Sequence, residues 1–259
     1  MTAYDKVLSA RAKGRPTAMR FIEAIFSDFT EMHGDRRYAD DQAIVAGLAM
    51  LDDQPVTVIG IEKGRDTADR VKRNFGSVHP EGYRKALRQM KLAEKFGRPV
   101  ICLVDTAGAF CGVSAEERGQ GLAIAENMYE MMTLRVPVIS VIIGEGGSGG
   151  ALALAVADQV WMLENSVYSV ISPEGAASII WKDAKKAKEA SECLRLTAED
   201  LLFFGVIERI IGEQDGFESM CGEMKAGFLE VISECRNIGI PAMLDARYAK
   251  YRKIGGETV

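Results

Sequence analysis

The feature that most constrains the fold is a glycine-rich segment, Gly144-Glu-Gly-Gly-Ser-Gly-Gly150, between two apolar runs. The run before it, residues 136–143, is rich in β-branched side chains and predicts a buried strand. The run after it, residues 151–157, consists of small apolar residues and predicts a helix. Five glycines in seven residues leave the turn almost without side chains, so a ligand can approach the unpaired N–H groups of the helix start. The segment therefore predicts backbone amides offered to a negatively charged oxygen.

Several functional motifs fit this segment. The spacing G-x-G-x-x-G from Gly144, with Glu164 twenty residues later, fits a dinucleotide-binding fingerprint. The spacing G-x-S-x-G around Ser148 fits the nucleophile elbow of serine hydrolases. That elbow needs a histidine after the serine, whereas the two histidines, His33 and His79, both precede Ser148. A third interpretation is an oxyanion hole without a side-chain nucleophile, and a fourth is a turn that only allows close helix–strand packing.

Composition limits the function classes. The 259 residues are 47% hydrophobic and 27% charged, which suits one large globular domain or two small ones. The net charge of −5 argues against a nucleic-acid partner. No apolar run approaches the ~20 residues that span a membrane, and the N-terminus lacks the apolar core of a secretion signal, so a cytoplasmic location is expected. The five cysteines form no Cys-x-x-Cys pair, which argues against a zinc site in this chain.

Three apolar runs predict the sheet. Residues 55–60, 99–104 and 137–142 each begin with proline and continue into β-branched residues, as strands buried on both faces do. Helical patterns alternate with them, which predicts an α/β fold. The helices are expected at residues 22–34, 81–96, 114–132, 197–205 and 217–235, the third opened by a capping box at Ser114. The basic tail from Asp245 is expected to be solvated.

A second glycine turn, Asp105-Thr-Ala-Gly-Ala-Phe-Cys-Gly112, follows the second apolar run. If the two strands are adjacent and parallel, the two turns meet at one edge of the sheet, where α/β proteins bind ligands. A third segment, residues 172–175, has turn chemistry and precedes a helix. Its Glu174 is either an acid or base near the site or, the interpretation we favour, a first-turn glutamate stabilised by the helix dipole.

Positive charge is concentrated between Lys63 and Lys91. This basic stretch predicts either a phosphate site for a nucleotide-bearing substrate or a solvated helix face, with Asp66 and Asp69 favouring the second. Its members are Lys63, Arg65, Arg70, Lys72, Arg73, Arg84, Lys85, Arg88 and Lys91. The polar loop at residues 34–41 contains an Asp-Asp pair that lacks the further ligands of a metal site.

An ordered series of segments carries a family resemblance. The segments are residues 34–41, 63–65, 73–76, 80–87, 115–120, 144–152 and 168–175. In this order and at this spacing they resemble the α subunit of the carboxyltransferase of bacterial acetyl-CoA carboxylase. The chain departs from the family pattern at Ala107, where proline is frequent, and at Phe110-Cys111, where Tyr-Pro is frequent. Many members also carry a longer N-terminal helical extension.

The resemblance implies a crotonase-like (ClpP/crotonase) fold of repeated ββα units. We expect one carboxyltransferase domain over residues 1–259, with an N-terminal segment at 1–16 and a C-terminal helix and basic tail at 213–259. The implied assembly is an α2β2 carboxyltransferase with a zinc-bearing β subunit, and no metal in this chain. Biotin carboxyl carrier protein and biotin carboxylase are the further partners. The implied reaction moves the carboxyl group of carboxybiotin, held on the carrier, to acetyl-CoA, and the malonyl-CoA formed enters fatty acid biosynthesis.

The resemblance also implies roles for residues. The N–H groups of Gly149 and Gly150 would stabilise the ureido oxygen of biotin, while the β subunit supplies the donors for the thioester enolate. Because the ureido nitrogen can remove the α-proton of the thioester, no strong protein base is needed, which suits a chain with two histidines. Gly108 and Ala109 are the second choice as backbone donors. The remaining expected substrate-binding residues are Gly112, Gly146, Gly147, Ser148, Lys63, Arg65 and Arg73.

Two other functions stay open. Another crotonase-like acyl-CoA enzyme, a hydratase, isomerase or decarboxylase, would use Glu145 or Glu174 as its acid or base. A non-catalytic assembly subunit would only complete the active site of its partner.

Overall fold

The computed structural model describes residues 1–256 and contains an eight-stranded sheet. Seven strands follow one another in the order β1-β2-β3-β4-β5-β6-β8, and β7 pairs with the end of β5. The strands are β1 (Ser27–Glu31), β2 (Ile44–Leu51), β3 (Gln54–Ile61), β4 (Val100–Thr106), β5 (Val138–Gly147), β6 (Gln159–Leu163), β7 (Val167–Ser169) and β8 (Arg209–Ile211). The pairs β1–β2 and β2–β3 are antiparallel, and all later pairs are parallel.

Twelve α-helices cover residues of the described part of the chain. They are α1 (Ala3–Ala10), α2 (Ala18–Ile25), α3 (Thr67–Lys72), α4 (Pro80–Phe96), α5 (Val113–Glu117), α6 (Gln120–Thr133), α7 (Ser148–Leu152), α8 (Pro173–Trp181), α9 (Ala187–Leu194), α10 (Ala198–Phe203), α11 (Phe217–Ile238) and α12 (Ile240–Lys253). Short 3₁₀ turns occupy Asn74–Gly76 and Ala184–Lys186.

The three predicted strands are confirmed as β3, β4 and β5, and β4 and β5 are adjacent and parallel. Their side chains are buried on both faces of the sheet, which explains the continuous apolar runs. Strand β5 is longer than predicted, because residues 145–147 of the glycine segment pair with β7. The helix after the turn begins at Ser148, three residues earlier than predicted, and ends at Leu152, so the prediction of a helix over residues 153–157 is wrong.

The clearest helical patterns are confirmed. Helix α4 ends where Gly97 adopts a left-handed conformation with φ 66°, and Thr197 caps α10 by accepting from the N–H of Asp200. Helix α11 begins at Phe217 as expected and runs three residues past Cys235 to Ile238.

Two helix predictions are wrong in part. Helix α2 stops at Ile25, because the following residues turn into β1 and pair with β2, so Phe29 lies in a strand. The predicted capping box at Ser114 is absent, since Gly112 precedes α5 and no side chain caps that helix. The chain then breaks at Gly119, with φ 83°, and α6 starts anew at Gln120.

The prediction of a solvated basic tail is wrong in part, because Arg252 and Lys253 are exposed whereas Arg247 is buried. The tail forms α12, and the side chain of Arg247 on this helix is fully buried. Its guanidinium donates to both carboxylate oxygens of Asp158, at 2.8 and 2.7 Å, and to the carbonyl oxygens of Met131, Leu134 and Val136. A buried guanidinium is stable only when its N–H donors are satisfied in this way. These hydrogen bonds of Arg247 hold α12 against the rest of the protein.

Apolar layers cover both faces of the sheet. One layer packs α4 and α6 against residues such as Ile59 and Val104, and the other packs α2 and α11 against Val58 and Ile101. This arrangement places the carboxyl ends of β4 and β5 at one edge, with the two glycine turns side by side. None of the helices among residues 1–256 has the length and apolar character needed to cross a membrane.

Candidate active site

The glycine turn at residues 144–150 joins β5 to α7. Gly147 occupies the N-cap position of α7 and has no side chain that could cap the helix. Ser148 adopts a left-handed conformation with φ 52°, which sets the direction of the first helical turn. Gly149 and Gly150 follow as the second and third helical residues, and such positions have no acceptor for their N–H groups within the helix.

One side of this turn packs against backbone. A β-carbon at Gly147 would lie 2.1 Å from the carbonyl oxygen of Ala107, and one at Gly150 would lie 2.5 Å from the backbone nitrogen of Ala109. A β-carbon at Gly144 would lie 2.3 Å from Oδ1 of Asp105. These glycines allow the first and second turns to touch, so their small size serves packing.

The other side of the turn is open. Gly149 is half-buried, and a β-carbon there would meet no atom closer than Cγ2 of Ile124 at 3.5 Å, an ordinary contact. Gly149 lines a cleft of about 510 Å³, whose walls come from β7, the α9–α10 connection and α12. The cleft is therefore the place where a ligand reaches the start of α7 without displacing protein atoms.

The cleft is mainly apolar, with Leu152, Val170 and Leu201 among its walls. Two tyrosines also line it. Burial raises the pKa of Tyr168 to about 12, and burial is the main reason that the pKa of Tyr251 also rises, so both rings stay neutral. Tyr251 donates to the carbonyl oxygen of Ala155 at 2.9 Å. Tyr251 is not among the residues predicted from the sequence, because the tail was expected to be solvated.

Beneath the turn lies a buried network of charges. Nζ of Lys63 contacts Oδ1 of Asp105 at 2.7 Å and Oε2 of Glu145 at 2.9 Å. Asp105 Oδ1 also accepts from the backbone N–H of Glu145 at 2.8 Å, and this bond ties the end of β4 to the glycine turn. Arg11 extends the network by donating to Glu145 at 2.7 Å and to Glu174 at 2.7 Å. Asp105 is thus a positioning residue that the sequence analysis did not select.

These contacts fix the charge of each group. Burial by itself raises the pKa of Glu145, but Lys63 and Arg11 more than reverse this, and the pKa lies below its usual value of 4.5. The hydrogen bond from Arg11 lowers the pKa of Glu174. Burial lowers the pKa of Lys63, and the two carboxylates outweigh burial and raise it. All three side chains are therefore ionised and paired, so neither glutamate is poised as a general acid or base.

The second glycine turn contacts the first as expected, but it offers few donors. The N–H of Gly108 donates to Oγ1 of Thr106 at 3.0 Å, so in this structure it is engaged within its own turn. The nitrogen of Ala109 faces Gly150. Gly112 has extended backbone and precedes α5, with the ring of Phe110 over it.

The expected substrate-binding residues do not converge on one site. Lys63 is buried in the network, Arg65 pairs with Glu23, and Arg73 donates to Asp69 at 2.8 Å. None of the three is among the residues that line the cleft at Gly149. Gly146 lies under the ring of Tyr168, whereas Ser148 lines the cleft.

Comparison with known proteins identifies the family. Residues 1–255 match the family described as acetyl co-enzyme A carboxylase carboxyltransferase-like. The acetyl-coenzyme A carboxylase carboxyl transferase subunit alpha of Ruminiclostridium cellulolyticum is 59% identical over 256 residues, covering 98% of each chain. The protein of the same name from Clostridium acetobutylicum is 55% identical over 260 residues, covering 98% of this chain and 95% of the relative.

Solved structures support the predicted crotonase-like fold. Transcarboxylase 12S with methylmalonyl-coenzyme A bound superposes with a TM-score of 0.71 at 20% identity, over 89% of this chain and 44% of that one. A Pseudomonas malonate decarboxylase hetero-tetramer in complex with coenzyme A superposes with a TM-score of 0.65 at 16% identity, over 82% and 86% of the two chains. Together with relatives more than half identical over nearly their full length, these findings place the chain in the family of acetyl-CoA carboxylase carboxyltransferase α subunits.

Proposed function

We propose that the cleft at Gly149 receives the ureido ring of carboxybiotin and that the N–H groups of Gly149 and Gly150 stabilise its oxygen. The family is that of biotin-dependent carboxyltransferases that form malonyl-CoA from acetyl-CoA. The observation that carries the residue assignment is the open side of the turn, where Gly149 lines the cleft and a β-carbon would make only an ordinary contact with Ile124, at 3.5 Å.

The residues present fit a biotin ring. The cleft has apolar walls for the body of a bicyclic ring, and Gly149 contributes no side chain to its lining. When bound, carboxybiotin supplies both the carboxyl group and, once this is released, the base that takes the proton from the thioester. This chain then needs only to orient the ring and hold negative charge on its oxygen, which preorganised amides do well. Losing one such donor typically costs ~3–4 kcal/mol in the barrier.

The charge network gives the turn its rigidity. Asp105, held by Lys63, fixes the backbone of Glu145, and the close contacts of Gly147 and Gly150 fix the rest of the turn. Amides held in this way need not reorganise when charge develops on the oxygen. Ala109 stays the second choice as a donor, since its nitrogen lies beside Gly150.

The family name of an α subunit implies a β carboxyltransferase subunit as partner. We further propose that this β subunit carries the zinc and the enolate-stabilising donors, and that the two chains form an α2β2 assembly in the cytoplasm. Biotin carboxyl carrier protein and biotin carboxylase complete the carboxylase. Residues 1–259 act as one carboxyltransferase domain, since one family description spans residues 1–255.

The alternative acyl-CoA enzymes lack support in this geometry. A hydratase or isomerase needs a carboxylate free to exchange protons, whereas Glu145 and Glu174 are paired with Arg11. Their pKa values are lowered, which opposes the role of a general acid.

Reconstitution tests the proposal. The chain is mixed with a zinc-bearing β subunit of the family and supplied with acetyl-CoA and carboxylated biotin carrier. We expect co-elution of the two subunits and malonyl-CoA formation that requires both of them. Turnover of enoyl-CoA substrates by this chain alone, with no malonyl-CoA formed by the pair, would contradict the proposal.

A further inference from the structure

A second cavity lies beside the glycine turn, among the ends of β3, β4 and β5 and the N-terminal segment. It encloses about 230 Å³. Its charged lining residues are Arg11, Arg15, Lys63, Arg70, Asp105 and Glu145. Three of the four cations are paired. Lys63 contacts Asp105 and Glu145, Arg11 contacts Glu145 and Glu174, and Arg15 contacts Glu213, which leaves Arg70 without a carboxylate among residues 1–256.

Two buried polar atoms at this cavity have no partner. The side chain of Arg15 is 9% exposed; its Nε donates to the carbonyl oxygen of Ile143 at 2.7 Å, and its Nη1 forms an ion pair with Oε1 of Glu213 at 3.0 Å. Its other terminal nitrogen, Nη2, and Oγ1 of Thr17 have no hydrogen-bond partner among residues 1–256. Buried donors are almost always satisfied in folded proteins, so an acceptor is missing here.

The third donor is Arg70 on α3. This half-buried side chain makes one described hydrogen bond, from Nε to the carbonyl oxygen of Gly64 at 3.3 Å, and pairs with no carboxylate among residues 1–256. The nearby buried carboxylate of Glu62 is engaged by the backbone N–H groups of Met19 and Gly64. It therefore does not neutralise Arg70 directly.

The rim of the cavity carries an unusual backbone. Phe75 lines it, is 56% exposed, and has a left-handed backbone with φ 55°, as does Asn74 with φ 49°. Non-glycine residues in this region are strained, and such strain concentrates at ligand-binding segments.

We propose that this cavity binds a phosphate group. Guanidinium groups present paired N–H donors that match phosphate oxygens. The cavity lining combines Arg15 from the α1–α2 connection, Arg70 from α3 and the hydroxyl-bearing Thr17. Water satisfies a single unpaired donor, but a phosphate satisfies several donors at once and also supplies a counter-charge to Arg70, the side chain of which makes one described hydrogen bond, to a carbonyl oxygen. The phosphate comes either from the CoA substrate or from free inorganic phosphate. This site is argued from its own residues and does not depend on the role of Gly149.

The test uses the full chain and inorganic phosphate at constant ionic strength, with binding measured by calorimetric titration. Thr17→Val removes a hydroxyl that has no hydrogen-bond partner among residues 1–256, so the phosphate-free protein keeps its stability. Arg70→Gln removes a charge from a half-buried position, and Lys72→Gln removes an exposed charge from the same helix as a control. We expect wild type and Lys72→Gln to bind phosphate alike, and each of the other two variants to bind roughly tenfold or more weakly.

Competition identifies the source of the phosphate. Displacement of inorganic phosphate by CoA but not by pantetheine assigns the site to a CoA phosphate, and no displacement by either assigns it to free phosphate. The proposal is overturned if wild type binds no phosphate, if Lys72→Gln weakens binding as much as Arg70→Gln, or if Thr17→Val leaves the affinity unchanged. The last two results would mean general electrostatic attraction without a built site.

Discussion

The two sides of the glycine turn use the same residue type for opposite purposes. At Gly147 and Gly150 the missing side chain lets backbone touch backbone, with no room for a β-carbon. At Gly149 the missing side chain leaves open space in front of a helix start. A substitution on the packed side should therefore damage the fold, whereas one on the open side should damage function alone. Neighbouring glycines of one motif are thus separable by experiment.

The largest effect is expected on the packed side. In Gly147→Ala the new methyl group meets the carbonyl oxygen of Ala107, which belongs to backbone and has no flexible end to move aside. We expect the free energy of unfolding to fall by about 3 kcal/mol or more. Urea denaturation measures it, with Gly149→Ala as the matched control. Equal stability of these two variants would break the distinction between the sides.

The second largest loss of stability is expected from breaking the charge network of Lys63, Asp105 and Glu145. Lys63→Met leaves Asp105 and Glu145 buried without the cation between them. Removing one partner of a buried pair costs about 3–5 kcal/mol, and we expect the lower end since Lys63 is 17% exposed. Lys72→Met on the exposed surface of α3 should change the free energy of unfolding by less than about 0.5 kcal/mol. An unchanged free energy of unfolding in Lys63→Met would show that the network does not hold the turn.

The pH dependence of stability sharpens this point. Because the pKa of Glu145 lies below 4.5 in the folded chain, its stabilising contribution is present above the unfolded pKa and is lost as pH falls through the folded pKa. Lys63→Met lessens the lowering, so less stability should be lost between about pH 5 and pH 2. Unfolding curves of the two proteins across this range measure the difference. Parallel curves would mean that Lys63 does not lower the pKa of Glu145.

The smallest change in the free energy of unfolding is expected at Ser148, which lies between Gly147 on the packed side and Gly149 on the open side. Ser148 adopts φ 52°, a conformation that costs a residue with a β-carbon about 1 kcal/mol. Ser148→Gly should raise the free energy of unfolding by about 0.5–1 kcal/mol and retain most carboxyl transfer. Complete loss of activity with an intact fold would instead favour a nucleophilic serine.

The sequence predicted local features well where one face or both faces of an element are apolar. Strands β3 to β5 and helix α4 follow directly from their buried side chains. Phe29 was misplaced because its spacing from Ile25 suits a helix, and only the pairing of β1 with β2 decides for a strand. Arg247 looked like a solvated charge, since its acceptor Asp158 lies 89 residues away.

At the candidate site, too, the sequence predicts local features and does not predict those that depend on contacts between distant residues. The motif located the glycine turn, and the family resemblance supplied the chemistry. Spacing alone could not distinguish Gly149 from Gly147, because the difference lies in the contact of Gly147 with Ala107 on another strand's turn. Lys63 was predicted to bind substrate, and its two buried carboxylate partners come from β4 and β5, which no local pattern reveals.

The most direct test of the open side is the rate of carboxyl transfer by Gly149→Val assembled with its β subunit. The measurement follows malonyl-CoA formation from carboxybiotin, alongside a urea unfolding curve and a co-elution profile for the same preparation. We expect transfer to fall by about 100-fold or more, because a branched side chain would take up space beside the proposed amide donors, with folding and assembly unchanged. A folded, assembled Gly149→Val enzyme that transfers at the wild-type rate would contradict it.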